Sequence, residues 1–245
     1  MSDKDFLDFI AERSSAGEPI SVVTRIGGDG KCNKFVVTPV TECFNPRHAA
    51  DLPDEIILAA QDLLAARKSA AIIEIPSESE PKVTYVIDAI RPKPSLVIYG
   101  GGHVGQALAT IGALVGYDVT VVDDREEFLS RSRLPDPHIK LMRSGFSEAV
   151  RDINVTRNTA VVIVTRGHQY DEICLRGVVG SRASYIGMIG SKRRVLSVFK
   201  RLEQDGVPAG ELERIHAPVG LPIRAVSPQE IAVAIMAEVI SVLNT

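Results

Sequence analysis

Basic residues do not outnumber acidic ones in this chain. Lys and Arg total 28 against 31 Asp and Glu, a formal net charge of −3. That balance argues against a surface built to hold a nucleic acid. No apolar run approaches the roughly 18 residues that would span a bilayer, so no membrane partner is expected. Cysteine is scarce: Cys32, Cys43 and Cys174 form no C-x-x-C pair, and their odd number suits a reducing cytoplasm better than a disulfide framework. The opening segment MSDKDFLDFIAERSS is acidic and amphipathic, which fits neither a secretory signal nor a transit peptide. His48, His103, His138, His168 and His216 lack the spacing of metal ligands, so no metal site is expected. A Gly-x-Ser-x-Gly elbow and a phosphate loop ending in Gly-Lys-Ser/Thr are also missing.

What is present centres on residues 96–124, LVIYGGGHVGQALATIGALVGYDVTVVDD. An apolar run, Leu96 to Tyr99, meets glycines spaced G-x-G-x-x-G at Gly100, Gly102 and Gly105. A small-residue helical segment follows, then a second run, Val119 to Val122, ending on Asp123. The first glycine permits a tight turn out of a strand, the second lets backbone N–H groups approach a pyrophosphate, and the third lets the helix pack close. The helix N-terminus carries about half a positive charge and unpaired donors, which suits phosphate. Asp123 stands where a carboxylate accepts from ribose hydroxyls. Strand, glycines, helix, strand and acid in register predict a Rossmann-type βαβ unit.

At 245 residues, 45% hydrophobic and 24% charged, the chain has the composition of an ordinary globular protein of one large or two smaller domains. Residues 1–90 read as a small α+β domain. A helix around Phe6 to Ile10 stops at Gly17 and Pro19, and strand-like runs follow at Ile20 to Ile26 and Phe35 to Val40, flanking a glycine-rich turn at 27–30. A helix is predicted from Ile56 to Ala66, then strands at Ile72 to Ile75 and Val83 to Ile90. Arg91-Pro92-Lys93-Pro94 suits a linker. Residues 95–245 alternate strands and helices, which predicts a doubly wound parallel sheet. Its last helix opens at Ser227 with Pro228 next and Glu230 three positions on, a capping box with a proline start.

In an open parallel sheet, ligands bind beyond the carboxyl ends of the strands. The first strand of this sheet delivers Gly100, Gly101, Gly102, His103, Val104 and Gly105 to that edge. The second delivers Asp123, Asp124 and Arg125, and the fourth Thr165, Arg166, Gly167 and His168, with Asp171 a turn further on. His168 is the candidate proton shuttle and Asp171 its orienting group. The fifth strand delivers Gly187, Gly190, Ser191, Lys192, Arg193 and Arg194. Cations at a helix start oppose the helix dipole, so anion binding explains them better than helix stability does. Cys174 reads as a core filler, and Cys32 and Cys43 are the thiols open to sulfur chemistry.

Four segments together, GGGHVGQALATIGALVGYDVTVVDDREEF, VTRGHQYDEICLRGVV, YIGMIGSKRR and IHAPVGLPIRAVSPQEIAVAIMAEVI, resemble the XdhC/CoxI family in order. The resemblance runs from about Leu96 to Val242. It implies an accessory protein for maturation of a xanthine dehydrogenase-type molybdenum hydroxylase. Such a protein would bind molybdenum cofactor (molybdopterin) or a related nucleotide, protect it, support its sulfuration and insert it. The implied partners are the apo-hydroxylase and a sulfur donor protein, and a homodimer is expected by family analogy. The N-terminal domain departs from the family: its G-S-x-P-R-like turn is replaced by TRIGGDGKCNKF. A later Gly-Gly-Cys/Arg-x-Glu-like segment survives only as Glu42 and Cys43. Two rival readings of the same residues are an NAD(P)-dependent oxidoreductase and a catalytically silent nucleotide-binding regulator.

Overall fold

The computed structural model describes residues 3–27, 32–40, 43–44, 52–76 and 82–244, excepting the side chains of Asp3, Phe44 and His168. The chain divides into two compact units, Met1–Pro92 and Lys93–Thr245.

The first unit is the expected small α+β domain. Its elements are α1 (Asp3–Ser15), β1 (Ile20–Ile26), β2 (Cys32–Val37), β3 (Cys43–Phe44), α2 (Asp54–Ala65), β4 (Ala70–Ile75) and β5 (Val83–Ile90). The strands form one antiparallel sheet ordered β3-β2-β1-β5-β4. Alternation along the strands sends Val23, Phe35, Val37, Tyr85 and Ile87 to α2, where Ile56, Ala60 and Leu63 meet them. The intervening Ile20 and Val36 pack with Phe6 of α1 on the opposite face. The second strand-like run is displaced toward the N-terminus relative to expectation, because pairing with β1 begins at Cys32 and ends at Val37. The glycines at 28–30, and Glu42, lie outside the described residues.

Arg91, read from sequence as linker, has a structural role. Its Nη2 donates to the carbonyls of Leu63 (3.0 Å) and Leu64 (3.1 Å), and its Nη1 donates to that of Lys68 (2.9 Å). The Leu63 and Leu64 carbonyls belong to the last turn of α2 and also accept from the N–H groups of Lys68 (3.1 Å) and Arg67 (3.2 Å), so Arg91 adds a cation at the end that the helix dipole favours.

The second unit is the expected Rossmann-like fold. Its strands are β6 (Ser95–Tyr99), β7 (Asp118–Asp123), β8 (Lys140–Arg143), β9 (Thr159–Ile163), β10 (Tyr185–Met188) and β11 (Ile215–His216). Its helices are α3 (His103–Leu114), α4 (Phe146–Asp152), α5 (His168–Val178), α6 (Lys192–Gln204), α7 (Ala209–Glu213) and α8 (Pro228–Leu243). All neighbouring strands are parallel, in the order β11-β10-β9-β6-β7-β8. Strand order reverses at the β6/β9 boundary, and the chain's first crossovers leave it on opposite faces. Leu96, Ile98, Ala160 and Val162 face α3 and α8. Val97, Tyr99, Val161 and Ile163 face α4, α5 and α6. Both faces of each central strand are therefore apolar, which explains the unbroken hydrophobic runs.

Cys174 is fully buried on α5, where burial pushes its thiol up to about 12. Ser227 caps α8 as expected: its Oγ accepts from the Glu230 N–H, and Glu230 Oε2 accepts from the N–H groups of Ser227 and Val226. The far end of α8 is tied to the sheet by Glu238, whose Oε2 accepts from Tyr185 Oη (2.5 Å) and from the Gly220 N–H (2.9 Å). Sequence periodicity did not anticipate β3, β11 or α7, which are too short to develop a repeat.

Replacing Arg91 with Ala removes three charge-assisted hydrogen bonds from the end of α2, while the Leu63 and Leu64 carbonyls keep the N–H groups of Lys68 and Arg67. We expect a loss of about 1.5–3 kcal/mol of stability, the range for charge-assisted hydrogen bonds, read by urea unfolding of the full chain. Arg91→Lys recovers less than half of it, because one ammonium cannot span three carbonyls.

Candidate functional site

The glycine turn begins where β6 ends. Gly100 has φ +117°, and a side chain there would strike the carbonyl of Val164 at the end of the neighbouring strand. A Cβ on Gly105 would collide with the Gly100 carbonyl oxygen, so the third glycine lets α3 start directly over the turn. Gly102 is different. A Cβ there would meet nothing within 4 Å, so the space in front of the helix is open. Gln106 N–H closes the first turn on Gly102 O (2.8 Å), which leaves the N–H groups of His103, Val104 and Gly105 ahead of the intrahelical ladder. The side chain of Val104 packs against the core while His103 is exposed.

Asp123, the expected ribose acceptor, is wholly buried and already in use. Its Oδ2 accepts from the Gly101 N–H (2.8 Å) and from Arg125 Nη2 (3.1 Å). Its Oδ1 accepts from Arg125 N–H (3.0 Å) and Arg125 Nε (2.9 Å). Burial alone would raise its pKa. The Arg125 guanidinium, together with the N–H groups of Gly101 and Arg125, outweighs burial and holds the carboxyl below the usual range. Arg125 in turn lies over the ring of Phe128 at 3.7 Å, and Arg133 lies over the same ring at 5.0 Å. The Phe128 backbone sits against Gly101. The carboxylate thus fastens the glycine turn to the segment after β7.

Asp124 and Arg166 join the loops on either side of β6. Arg166 Nη2 donates to Asp124 Oδ2 (2.9 Å) and to Tyr170 Oη (3.2 Å), and its guanidinium lies 5.0 Å from the Tyr170 ring centre. The strands they follow, β7 and β9, flank β6, so the ion pair crosses the mouth of the glycine turn. The Tyr170 hydrogen bond and then the aspartates favour the charged form of Arg166. Gly101 and Gly167 serve as backbone: Gly101 O accepts from Gln106 Nε2 (2.8 Å), and Gly167 is the N-cap of α5.

Thr165 and Asp171 come together, but around a third residue. The Thr165 hydroxyl donates to Asp171 Oδ1, and the buried Asp171 forms an ion pair with Arg194 on α6. The partners the structure gives Asp171 are thus Thr165 and Arg194. His168 is the first residue of α5, and its side chain lies outside the described residues.

Gly190, Ser191, Lys192 and Arg193 stand after β10, two strands away from β6. Ser191 caps α6 by accepting from the Arg194 N–H, and Lys192 and Arg193 are exposed. Arg194 is among the cations expected at this helix start, but its pairing with Asp171 is not anticipated. Sequence reasoning missed Phe128, Tyr170 and Arg201. Arg201 was signalled by helical spacing, since Arg194, Ser197 and Arg201 share one face of α6.

A family model described as the XdhC Rossmann domain matches residues 96–239. The chain is 31% identical over 154 residues to a probable xanthine dehydrogenase subunit of Bacillus subtilis (strain 168), covering 63% of this chain and 44% of that protein. It is 26% identical over 152 residues to the molybdenum cofactor insertion chaperone PaoD of Escherichia coli (strain K12), covering 62% and 41%. These matches span between 28% and 44% of the length of the curated relatives. Among solved structures, a xanthine dehydrogenase from Bacillus halodurans has the same fold, with a TM-score of 0.66 at 24% identity, covering 98% of this chain and 66% of that one. No helix among the described residues is long and apolar enough to cross a membrane.

The saturation of Asp123 has a pH signature. Its folded pKa lies below the ordinary aspartate value of about 3.9. The stabilisation is therefore complete above that value and is lost as pH falls through the folded pKa. Asp123→Asn should lose about 3–5 kcal/mol at neutral pH, the order for breaking one side of a buried ion pair. Its stability should also fall less steeply than that of the parent chain as pH drops below about 4, both read by urea unfolding.

Proposed function

The chain belongs to the XdhC family, and from that premise we propose that it is an accessory protein for a molybdenum enzyme. Its cargo on this reading is molybdenum cofactor, held by its phosphate at the glycine turn. The relation to a molybdenum cofactor insertion chaperone supports the cargo, and the relation to a probable xanthine dehydrogenase subunit supports a hydroxylase of that type as client.

The observation that carries the reading is the pairing of an open phosphate seat with a closed ribose seat. The N–H groups of His103, Val104 and Gly105 head a helix whose front at Gly102 is clear of protein. A dinucleotide bound in the usual way would also place a ribose on the carboxylate after the second strand. Here Asp123 accepts four hydrogen bonds from the chain itself, and Arg125 and Phe128 lie over the turn. A phosphate with no nucleoside ribose at that point, as in molybdopterin, fits such a seat. The NAD(P)-dependent oxidoreductase loses its main anchor by the same geometry.

Within this reading Arg166 and Asp124 border the cargo, Arg166 offering donors beyond those given to Asp124 and Tyr170. Thr165 and Gly167 shape the neighbouring turn. His168, at the head of α5, is the residue assigned to proton exchange with the bound group. The chain holds and shields the cargo and passes it to an apo-hydroxylase, as a homodimer supplied by a separate sulfur donor. Cys32 and Cys43, both exposed on the first unit's sheet, are the thiols available for sulfur transfer.

The full chain, incubated with micromolar molybdenum cofactor, should retain it through gel filtration and raise the activity of an apo-hydroxylase. Absence of both would sink the proposal. NADH titrated to millimolar concentration should bind at least about tenfold more weakly than the cofactor, a gap of about 1.4 kcal/mol or more. Gly102→Ala is the sharpest variant. It costs the fold at most about 1 kcal/mol, as an N-cap change into open space, yet it places a methyl where the phosphate sits. Cofactor retention should fall at least about tenfold while the melting temperature stays within a few degrees.

A further inference from the structure

We propose that the groove along α6 is a second anion site, separate from the glycine turn, built for the dianionic phosphoryl group of a small molecule. A cavity of about 460 Å³ lies there, and the described residues lining it are Ser191, Arg193, Arg194, Ser197 and Arg201. That volume falls within the range of small-molecule pockets. No carboxylate is among those lining residues.

Two acids on the neighbouring helix set the arginines without neutralising the groove. Asp171 and Glu172 are consecutive on α5. The buried Asp171 pairs with Arg194, and Glu172 accepts from Arg201 Nε (2.7 Å). Each guanidinium carries five N–H donors in a rigid fork, so donors remain on both. Arg201 spends one of them on Ser197 Oγ (2.9 Å). Arg194 Nε is enclosed and donates to nothing among the described residues. Arg193 has no hydrogen-bond or ion-pair partner among the described residues, and Lys192 beside it is equally uncommitted. The groove is therefore cationic on balance, and its arginines are oriented in advance of any ligand.

The geometry favours phosphoryl over a lone carboxylate. A phosphate monoester brings up to two negative charges and three strong acceptor oxygens. Three guanidiniums and two hydroxyls, set along α6 from its N-cap Ser191 to Arg201 in its last turn, match that demand, whereas one carboxylate needs a single fork. The site does not depend on the cofactor reading. It lies two strands from β6, and none of its residues belongs to the glycine turn.

The test is calorimetric titration of the full chain, at matched ionic strength, with inorganic pyrophosphate, glycerol 2-phosphate and citrate. Pyrophosphate or the ester should bind with Kd below about 1 mM, and whichever is tighter identifies an inorganic or an esterified source. Arg193→Gln, which disturbs no interaction among the described residues, should weaken that binding at least about tenfold, as expected for loss of a charge-assisted pair. Gly102→Ala should leave the Arg193-dependent component of binding unchanged. The proposal is overturned by absence of binding, by citrate binding as tightly, or by sensitivity to Gly102→Ala without sensitivity to Arg193→Gln. Retention of molybdenum cofactor is a separate readout, so failure here leaves the cofactor reading standing.

Discussion

A single buried carboxylate organises the ligand-facing edge of the Rossmann unit. Asp123 has four acceptor positions and fills all of them, one from the backbone of the glycine turn and three from Arg125. A charged group this deep is tolerated only when paired and fully hydrogen-bonded, so the arrangement is all or nothing. Its effect is to lock two loops together. The turn after β6 is held at Gly101, and the segment after β7 is held at Arg125, which in turn stacks on Phe128. The helix N-terminus at His103 is thereby fixed in place before anything binds.

The same economy recurs on the other face of the sheet, with the roles of acid and base divided between helices. Asp171 at the start of α5 is buried between Thr165 and Arg194, and so couples the loop after β9 to α6. Glu172, the next residue, reaches Arg201 and also Arg176 (3.1 Å). Ion pairs at such partly exposed positions contribute modestly to stability. Their larger consequence is orientation. Long arginine side chains that would otherwise sample many rotamers are held along a groove, and that lowers the entropic cost of binding.

Much of this architecture was legible in the residue order because backbone requirements leave sequence marks. Gly100, Gly102 and Gly105 are spaced as a strand-turn-helix demands, and the Ser227-Pro228-Glu230 start of α8 is set by side chains acting within one turn. The apolar runs at Leu96 to Tyr99 and Thr159 to Ile163 are unbroken because helices cover both faces. What sequence position does not reveal is which donor reaches which carboxylate. Asp123 stands where a ribose acceptor stands, and only side-chain packing determines that Arg125, two residues on, folds back to occupy it. Asp171 lies three residues after His168, whose side chain lies outside the described residues, and proximity alone does not reveal that Asp171 also pairs with Arg194, 23 positions later on α6. Arg91 reads as linker because Pro92 and Pro94 follow it, and its contacts are with a helix that ends some 25 residues earlier.

The charge balance at the two anion seats differs in a way that bears on what each can do. Around the glycine turn, Asp123 and Asp124 offset Arg125 and Arg166, so these four side chains carry no net charge. Attraction there comes from oriented N–H groups and the helix dipole, a contribution of about 0.3–1 kcal/mol per charge at exposed sites. It also requires Arg166 to share its donors between Asp124 and the ligand. A seat of that kind discriminates by shape and donor geometry more than by field strength, so little electrostatic attraction opposes release. That suits a protein proposed to hand its cargo to another. The α6 groove is the opposite case. Arg193 and Lys192 are uncommitted among the described residues, and Arg194 and Arg201 keep donors in reserve. Its hold on a dianion grows with each guanidinium engaged and weakens with added salt. On the two proposals, a seat of no net side-chain charge at the glycine turn and a cationic groove along α6 divide the handling of two different anions within one Rossmann sheet.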